Sequence, residues 1–217
     1  LNLKSDTAWF DIPYAAIERR TVPRTDAERA KHEVSGQKWV DYTDPSANFG
    51  ISLLNNGKYG FDIKNNVMRM TILRAPTDPD PVADRGIHSF SYALYPHNGD
   101  WRSAATPLRG YDFNYPLVVR VAEPHPGKLP ASRSFFSASP SNIVLSAIKK
   151  AEDDTDTIIR LYETSGKNTT ATIALPAPVA SVVETNLIEQ KPDWTPSPVK
   201  ISGNTITLSI SHNEIKT

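Results

Sequence analysis

An all-β fold in two parts is what this sequence predicts. Eighteen prolines and ten glycines break the 217 residues at short intervals. Between the breaks lie short runs of β-branched and aromatic residues, the pattern of sandwiches and barrels. One stretch, EPHPGKLPASRS (123–134), has almost nothing to bury and reads as a linker. We therefore expect one domain over 1–125 and a second over 136–217.

Residues 1–45 read as irregular, with TDAERAKHE (25–33) long enough for one or two helical turns. Strands begin at FGISLL (49–54), turn at NNG, and continue through KYGFDI, whose side chains alternate. After a second turn at KNN comes VMRMTILR (67–74), with Met68, Met70 and Ile72 on one face. A proline-rich loop follows, and then HSFSYALY (88–95). There His88, Phe90, Tyr92 and Leu94 share a face opposite Ser89, Ser91 and Ala93, which predicts a strand packed on another layer. PLVVRVA (116–122) reads as one more strand. Beyond the linker the expected strands are NIVLSAIKK, TIIRLYET, TATIAL, VASVVET, VKI and TITLSI. DDTD and SGKN mark hairpin-type reversals, and SGN a tight turn. Six short strands in some 80 residues predict a small β-sandwich.

Composition narrows the function classes. Lysine plus arginine number 24, and so do aspartate plus glutamate, so no net field attracts nucleic acid or an acidic membrane. No run of 18 apolar residues would form a membrane-crossing helix. We expect no nucleic-acid and no membrane partner. The absence of cysteine removes disulfides and thiol chemistry without choosing a compartment. The opening LNLKSDTAWFDIPY lacks the basic start and apolar block of a signal peptide, and it lacks an initiating Met. We expect a piece of a longer chain.

The loop between Arg74 and His88 holds Asp78, Asp80, Asp84 and Arg85 among three prolines. Asp78 and Asp80 beside Pro79 and Pro81 are ordinary turn formers. Asp84 and Arg85 sit where the loop turns back toward the sheet, a place that often carries function. His88 could converge with Asp84, but no pair among the five histidines has HxH or HxxxH spacing, so no metal site is expected. Nucleophile elbows and phosphate loops are also missing. Aromatic residues such as Tyr59, Tyr92 and Trp101 could stack on sugars, although in β-domains they are more often core. The residues alone define no active site.

The order of segments resembles the C-terminal β region of the α-mannosidases of glycoside hydrolase family 38. The resemblance is carried by FDIPYAAIERRT, by KWVDYTD, by FGISLLNNGKYGFDIKNNVMRMTILRAPTDPDPVADRGIHSFSYALYPHNGDW, and by LYETSGKNTTATIAL with VVETNLIEQ. It implies the end of a large, mutarotase-like supersandwich followed by a small immunoglobulin-like sandwich. It also implies a retaining hydrolysis of terminal α-linked mannose, with zinc in the full-length enzyme. The catalytic aspartates and the zinc ligands are expected upstream. The family's HxD motif has no match here, so neither catalytic residue nor metal is expected in this chain. Implied partners are an upstream catalytic domain of the same chain and mannose-containing glycans, with homo-oligomer formation left open. Arg85, within VADRGIH, aligns with an arginine that reaches the sugar in animal members. Asp84, Arg85, His88 and Tyr59 are thus the expected substrate-binding or domain-interface residues. The rival reading is a free-standing carbohydrate-binding sandwich module.

Overall fold

The computed structural model describes residues 2–217 and separates into two compact units, Leu1–Pro116 and Leu117–Thr217. Each is treated by itself.

The first unit contains eight strands, β1 (Thr7–Ile12), β2 (Ala15–Arg20), β3 (Val34–Ser35), β4 (Trp39–Asp44), β5 (Phe49–Asn55), β6 (Gly60–Lys64), β7 (Val67–Met70) and β8 (Tyr92–Asn98). Two short helices join them, α1 (Asp26–Arg29) and α2 (Thr106–Asn114). A five-stranded antiparallel sheet has the order β2-β1-β4-β5-β8, and a three-stranded sheet has the order β3-β6-β7. One face of the larger sheet presents Ala8, Phe10, Val40, Tyr42 and Leu53 to Phe61 and Ile63 of the smaller. The other face carries Trp39 and Leu54 against Trp101, which is ringed by Trp9, Ala93, Tyr95 and Phe113. Trp101 lies 5.1 Å from Trp39 and 5.3 Å from Trp9, with the Arg102 guanidinium 4.1 Å over its ring. That arrangement adds cation–π attraction to simple burial.

Several expectations need correction here. Residues 1–45 are not irregular, because β1, β2 and β4 lie within them. The predicted helix is one turn, started by a capping box between Thr25 and Glu28. β7 stops at Met70; the Thr71 N–H still donates to the Gly60 carbonyl at 2.9 Å, and 72–74 lie outside any strand. The strand predicted at 88–95 runs from Tyr92 to Asn98. Its large face is not the covered one: Tyr92 is 60% and Leu94 64% exposed, whereas Ala93 and Tyr95 pack on the tryptophan cluster. α2 was unexpected because Pro107 and Gly110 weaken its helical signal. Gly110 is needed for packing, since a Cβ there would stand 2.9 Å from the Trp39 ring. The strand expected at 116–122 does not form.

The second unit has no strand or helix from 117 to 136. It then forms β9 (Ser137–Ser139), β10 (Ile143–Lys150), β11 (Thr157–Glu163), β12 (Thr169–Ala174), β13 (Val199–Ser202), β14 (Thr205–Ile210) and β15 (Ile215–Lys216). These make sheets of order β10-β11-β15 and β13-β14-β12-β9, the three-plus-four division of a small sandwich. Ile143 and Leu161 of one sheet pack on Ala171, Ile173, Ile206, Leu208 and Ile210 of the other. DDTD closes the β10–β11 hairpin as expected. SGKN instead carries the chain from one sheet to the other, so it is a corner and not a hairpin. VASVVET is not a strand, although Val182 and Glu184 turn inward while Val183 points out.

Phe61 is fully buried at the centre of the first unit, so truncation there leaves a cavity under the five-stranded sheet. Phe61→Ala should destabilise this unit by about 3–5 kcal/mol. Urea unfolding followed by tryptophan fluorescence reads it, because Trp9, Trp39 and Trp101 all belong to this unit. A loss under about 1 kcal/mol would mean that the two sheets do not pack through Phe61.

Candidate functional site

The loop singled out in the sequence is built by short-range contacts. Asp84 adopts a left-handed backbone, φ 59°, and its carboxylate accepts the Ala75 N–H at 2.9 Å. That single bond closes the loop at its base. Within it, the Asp80 carboxylate accepts the Val82 N–H at 2.9 Å, the turn-forming role expected of that residue. The next glycine, Gly86, has φ 142°, where a side chain would be strained. His88 Nε2 donates to the Asp84 carbonyl at 2.8 Å and so braces the same turn.

Asp84 and Tyr59 come together. They line one shallow depression of about 570 Å³ with Glu33, Arg74 and Pro76. Arg85 does not line it. It is exposed, with its backbone N–H bonded to the Val82 carbonyl at 3.2 Å. His88 touches Asp84 only from behind, through the main chain. The depression is open and carries carboxylates, an arginine and a phenol. Such groups can hydrogen-bond hydroxyl-rich ligands, but nothing here pairs a nucleophile with a base. Among the described residues, no three His, Asp or Glu side chains converge as metal ligands.

Sequence reasoning missed a buried polar cluster on the far face of the larger sheet. Asp41 of β4 is fully buried, and its Oδ2 accepts from Ser52 Oγ at 2.7 Å and from His97 Nε2 at 2.7 Å. Oδ1 accepts from Thr43 Oγ1 at 2.6 Å. Thr106, at the start of α2, lies 3.0 Å from Ser52 Oγ. Aspartate, histidine and serine within hydrogen-bond reach suggest a hydrolytic triad, yet the proton positions forbid one. The Ser52 proton already goes to Asp41, and so does that of His97 Nε2, so the imidazole is not free to activate the hydroxyl. Ser52 and Thr106 are also fully buried, out of a substrate's reach. The cluster is a structural tie between β4, β5, β8 and α2. One signal was available: Gly50 stands opposite His97, and a Cβ on it would fall 2.6 Å from His97 Cε1.

Burial pushes the His97 pKa down, but the hydrogen bond and charge of Asp41 more than offset this, and the net direction is up. Nδ1 is buried without a hydrogen-bond partner and opposes the same charge.

The second unit has its own tie. The carboxylate of Glu163, fully buried at the end of β11, accepts from Asn142 Nδ2, from Ser165 N–H and Oγ–H, and from the N–H groups of Gly166, Lys167 and Asn213. Burial alone would raise its pKa. The Ser165, Asn142 and Asn213 hydrogen bonds win and hold it at about 2.

Among the described residues these geometries tie the strands of each unit together, and comparison with known proteins places the chain in a family. The model described as "Glycosyl hydrolases family 38 C-terminal domain" matches residues 1–82. That described as "Glycosyl hydrolases family 38 C-terminal beta sandwich domain" matches residues 142–217. The chain belongs to glycosyl hydrolase family 38. Among its family relatives, mouse alpha-mannosidase 2C1 is 36% identical over 193 residues, covering 87% of this chain and 18% of the relative. Alpha-mannosidase G of Dictyostelium discoideum is 34% identical over 195 residues, with the same coverage on both sides. The crystal structure of an alpha-mannosidase from Enterococcus faecalis superposes with a TM-score of 0.76 at 20% identity, over 98% of this chain and 24% of that one. The chain thus spans about a fifth of the length of the curated family members it matches.

The two ties give opposite pH responses. His97, with a raised folded pKa, stabilises the first unit fully below its ordinary value of 6.5, and that contribution is lost as pH rises through the folded value. Glu163, with a depressed pKa, stabilises the second unit fully above 4.5 and loses this as pH falls toward about 2. Denaturant midpoints measured across pH should show the first unit weakening as pH rises above 6.5, and His97→Gln should flatten that slope. An unchanged slope in the variant would remove His97 from the cause.

Proposed function

We propose that this chain is the non-catalytic C-terminal β region of a retaining, zinc-dependent α-mannosidase that hydrolyses terminal α-linked mannose. Residues 1–125 would be the closing portion of its large sandwich domain and 136–217 its small one. The observation that carries this reading is the pairing of two family 38 C-terminal matches with a chain that brings no catalytic constellation together. The named alpha-mannosidases at 34–36% identity support the activity of the longer protein. Zinc in that enzyme would be held by residues upstream of this chain. No catalytic step is assigned to any residue here.

What this chain would supply is a rim. In this reading the loop over 76–88 faces the cleft of the catalytic domain. Asp84 fixes the loop's base, Tyr59 shares its depression, and Arg85, exposed beside that base, would meet sugar hydroxyls or the domain interface. His88 holds the turn that presents Arg85. Charge-assisted hydrogen bonds of this kind contribute about 1.5–3 kcal/mol each.

Arg85→Ala in the longer enzyme should therefore lower kcat/KM by about tenfold or more, with the fold intact. Unchanged kinetics would falsify the rim role of Arg85. Calorimetry of this chain with mannose tests the whole reading. No heat is expected, and saturable binding would favour a free-standing sugar-binding module instead.

A further inference from the structure

The segment 117–121, LVVRV, is the most exposed apolar run in the described chain. Leu117 is 93%, Val118 88%, Val119 83% and Val121 97% exposed. These are residues with strong strand preference, and the three valines resist helix through their branched Cβ. Pro116 stands directly ahead, after α2 has ended at Asn114, so the helix does not continue into them. Yet the segment has no ladder partner among the described residues.

Its pattern is informative about what would cover it. A half-buried strand alternates apolar and polar residues. Here Leu117, Val119 and Val121 share one wholly apolar face of an extended chain, while Val118 shares the other with Arg120, the mark of a strand with one face under an apolar layer. A surface of this kind left open is a docking face or an aggregation hazard. Covering that face takes both a neighbouring strand and an apolar layer. The curated relatives extend more than five times as far as the part this chain matches, so a body of the required size belongs to the same polypeptide.

We propose that residues 117–121 are a β-strand of a sheet whose neighbouring strands come from the part of the longer protein outside this chain. Main-chain hydrogen bonds to those strands set the register, and Leu117, Val119 and Val121 fill the apolar layer while Val118 and Arg120 lie on the other face. The inference rests on reading the chain as part of a longer family 38 enzyme. It goes beyond that reading by naming which residues join the two parts and how.

Amide hydrogen exchange tests this on the 217-residue chain at two concentrations and on the longer enzyme. The amides of 117–121 should exchange as an open chain in the first and be protected by roughly a hundredfold or more in the second. Val119→Pro, which removes a ladder donor, should lower the Tm of the longer enzyme by several degrees and leave that of the 217-residue chain unchanged. Fast exchange at 117–121 in the longer enzyme overturns the proposal. So does protection in the dilute 217-residue chain, which would mean pairing within it, or protection that rises with concentration, which would mean a second copy. Mannosidase activity assayed in parallel keeps the two claims apart: an active enzyme with unprotected 117–121 sinks the strand and not the function, and an inactive enzyme with protected 117–121 does the reverse.

Discussion

The Asp41 carboxylate is the constraint on which the first unit is organised. A charge removed wholly from water costs several kcal/mol unless every lone pair is answered. Here the answers come from three elements: Ser52 on β5, His97 on β8 and Thr43 on β4 itself, with Thr106 at the start of α2 behind Ser52. The network fixes strand register as well as satisfying a charge. Asp41 stands opposite Ser52, Ser52 opposite Tyr95, and Gly50 opposite His97. A slip of one residue would send Ser52 or His97 to the opposite face and strand the carboxylate. Apolar packing of Val40 and Tyr42 on the other face tolerates small shifts better, so the polar side specifies what the apolar side only stabilises.

Glu163 plays the matching part in the second unit, by a different route. Its partners are mostly main-chain N–H groups of the corner at 165–167 and of Asn213. The carboxylate therefore shapes the corner that carries the chain from β11 in one sheet to β12 in the other. Nearby, Lys216 and Glu184 form a second buried pair at 2.9 Å, joined by the Trp194 indole and the Ser197 N–H. In a chain without cysteine these satisfied charges hold loop ends where a small domain elsewhere would use a cross-link. The difference is that they respond to pH.

The same carboxylates explain what could be read from the sequence. β5, β6 and most strands of the second unit declare themselves by β-branched runs between turns, whereas the two units divide at Pro116, ahead of the Pro-rich stretch over 123–134. β1 and β4 do not, because TAWFDI and WVDYTD bury aspartates beside tryptophans and so break the alternation of apolar and polar residues. α2 is hidden for another reason: its Gly110 is a poor helix former retained for contact with Trp39. β8 was legible as a strand but not as to which face is covered. Its Ala93 and Tyr95 are drawn inward by Trp101, a contact 6 to 8 residues away that no local pattern encodes. At the candidate site, residue types pointed to Tyr59 and Asp84, which line the same depression. The same reasoning grouped Arg85 and His88 with them, although Arg85 stands outside the depression and His88 braces the turn through the Asp84 carbonyl.

Two exposed segments of this chain differ in a way that bears on what each is for. The loop over 75–88 is exposed but locally closed, with Asp84 capping Ala75, Asp80 capping Val82 and His88 bracing the turn. Its prolines reduce the freedom lost on folding, so its shape belongs to the loop itself and can present Arg85 to a ligand without reorganising. Residues 117–121 are as exposed, yet they have no such closure among the described residues, and all but Arg120 carry apolar side chains. A polar segment that is ordered by its own bonds is suited to recognition, where water must be displaced and readmitted. An apolar segment with strand-forming residues and no bonds of its own gains order only by burial, which is permanent once made. On the reading proposed above, the first would serve a cleft edge and the second the join between parts of one folded polypeptide.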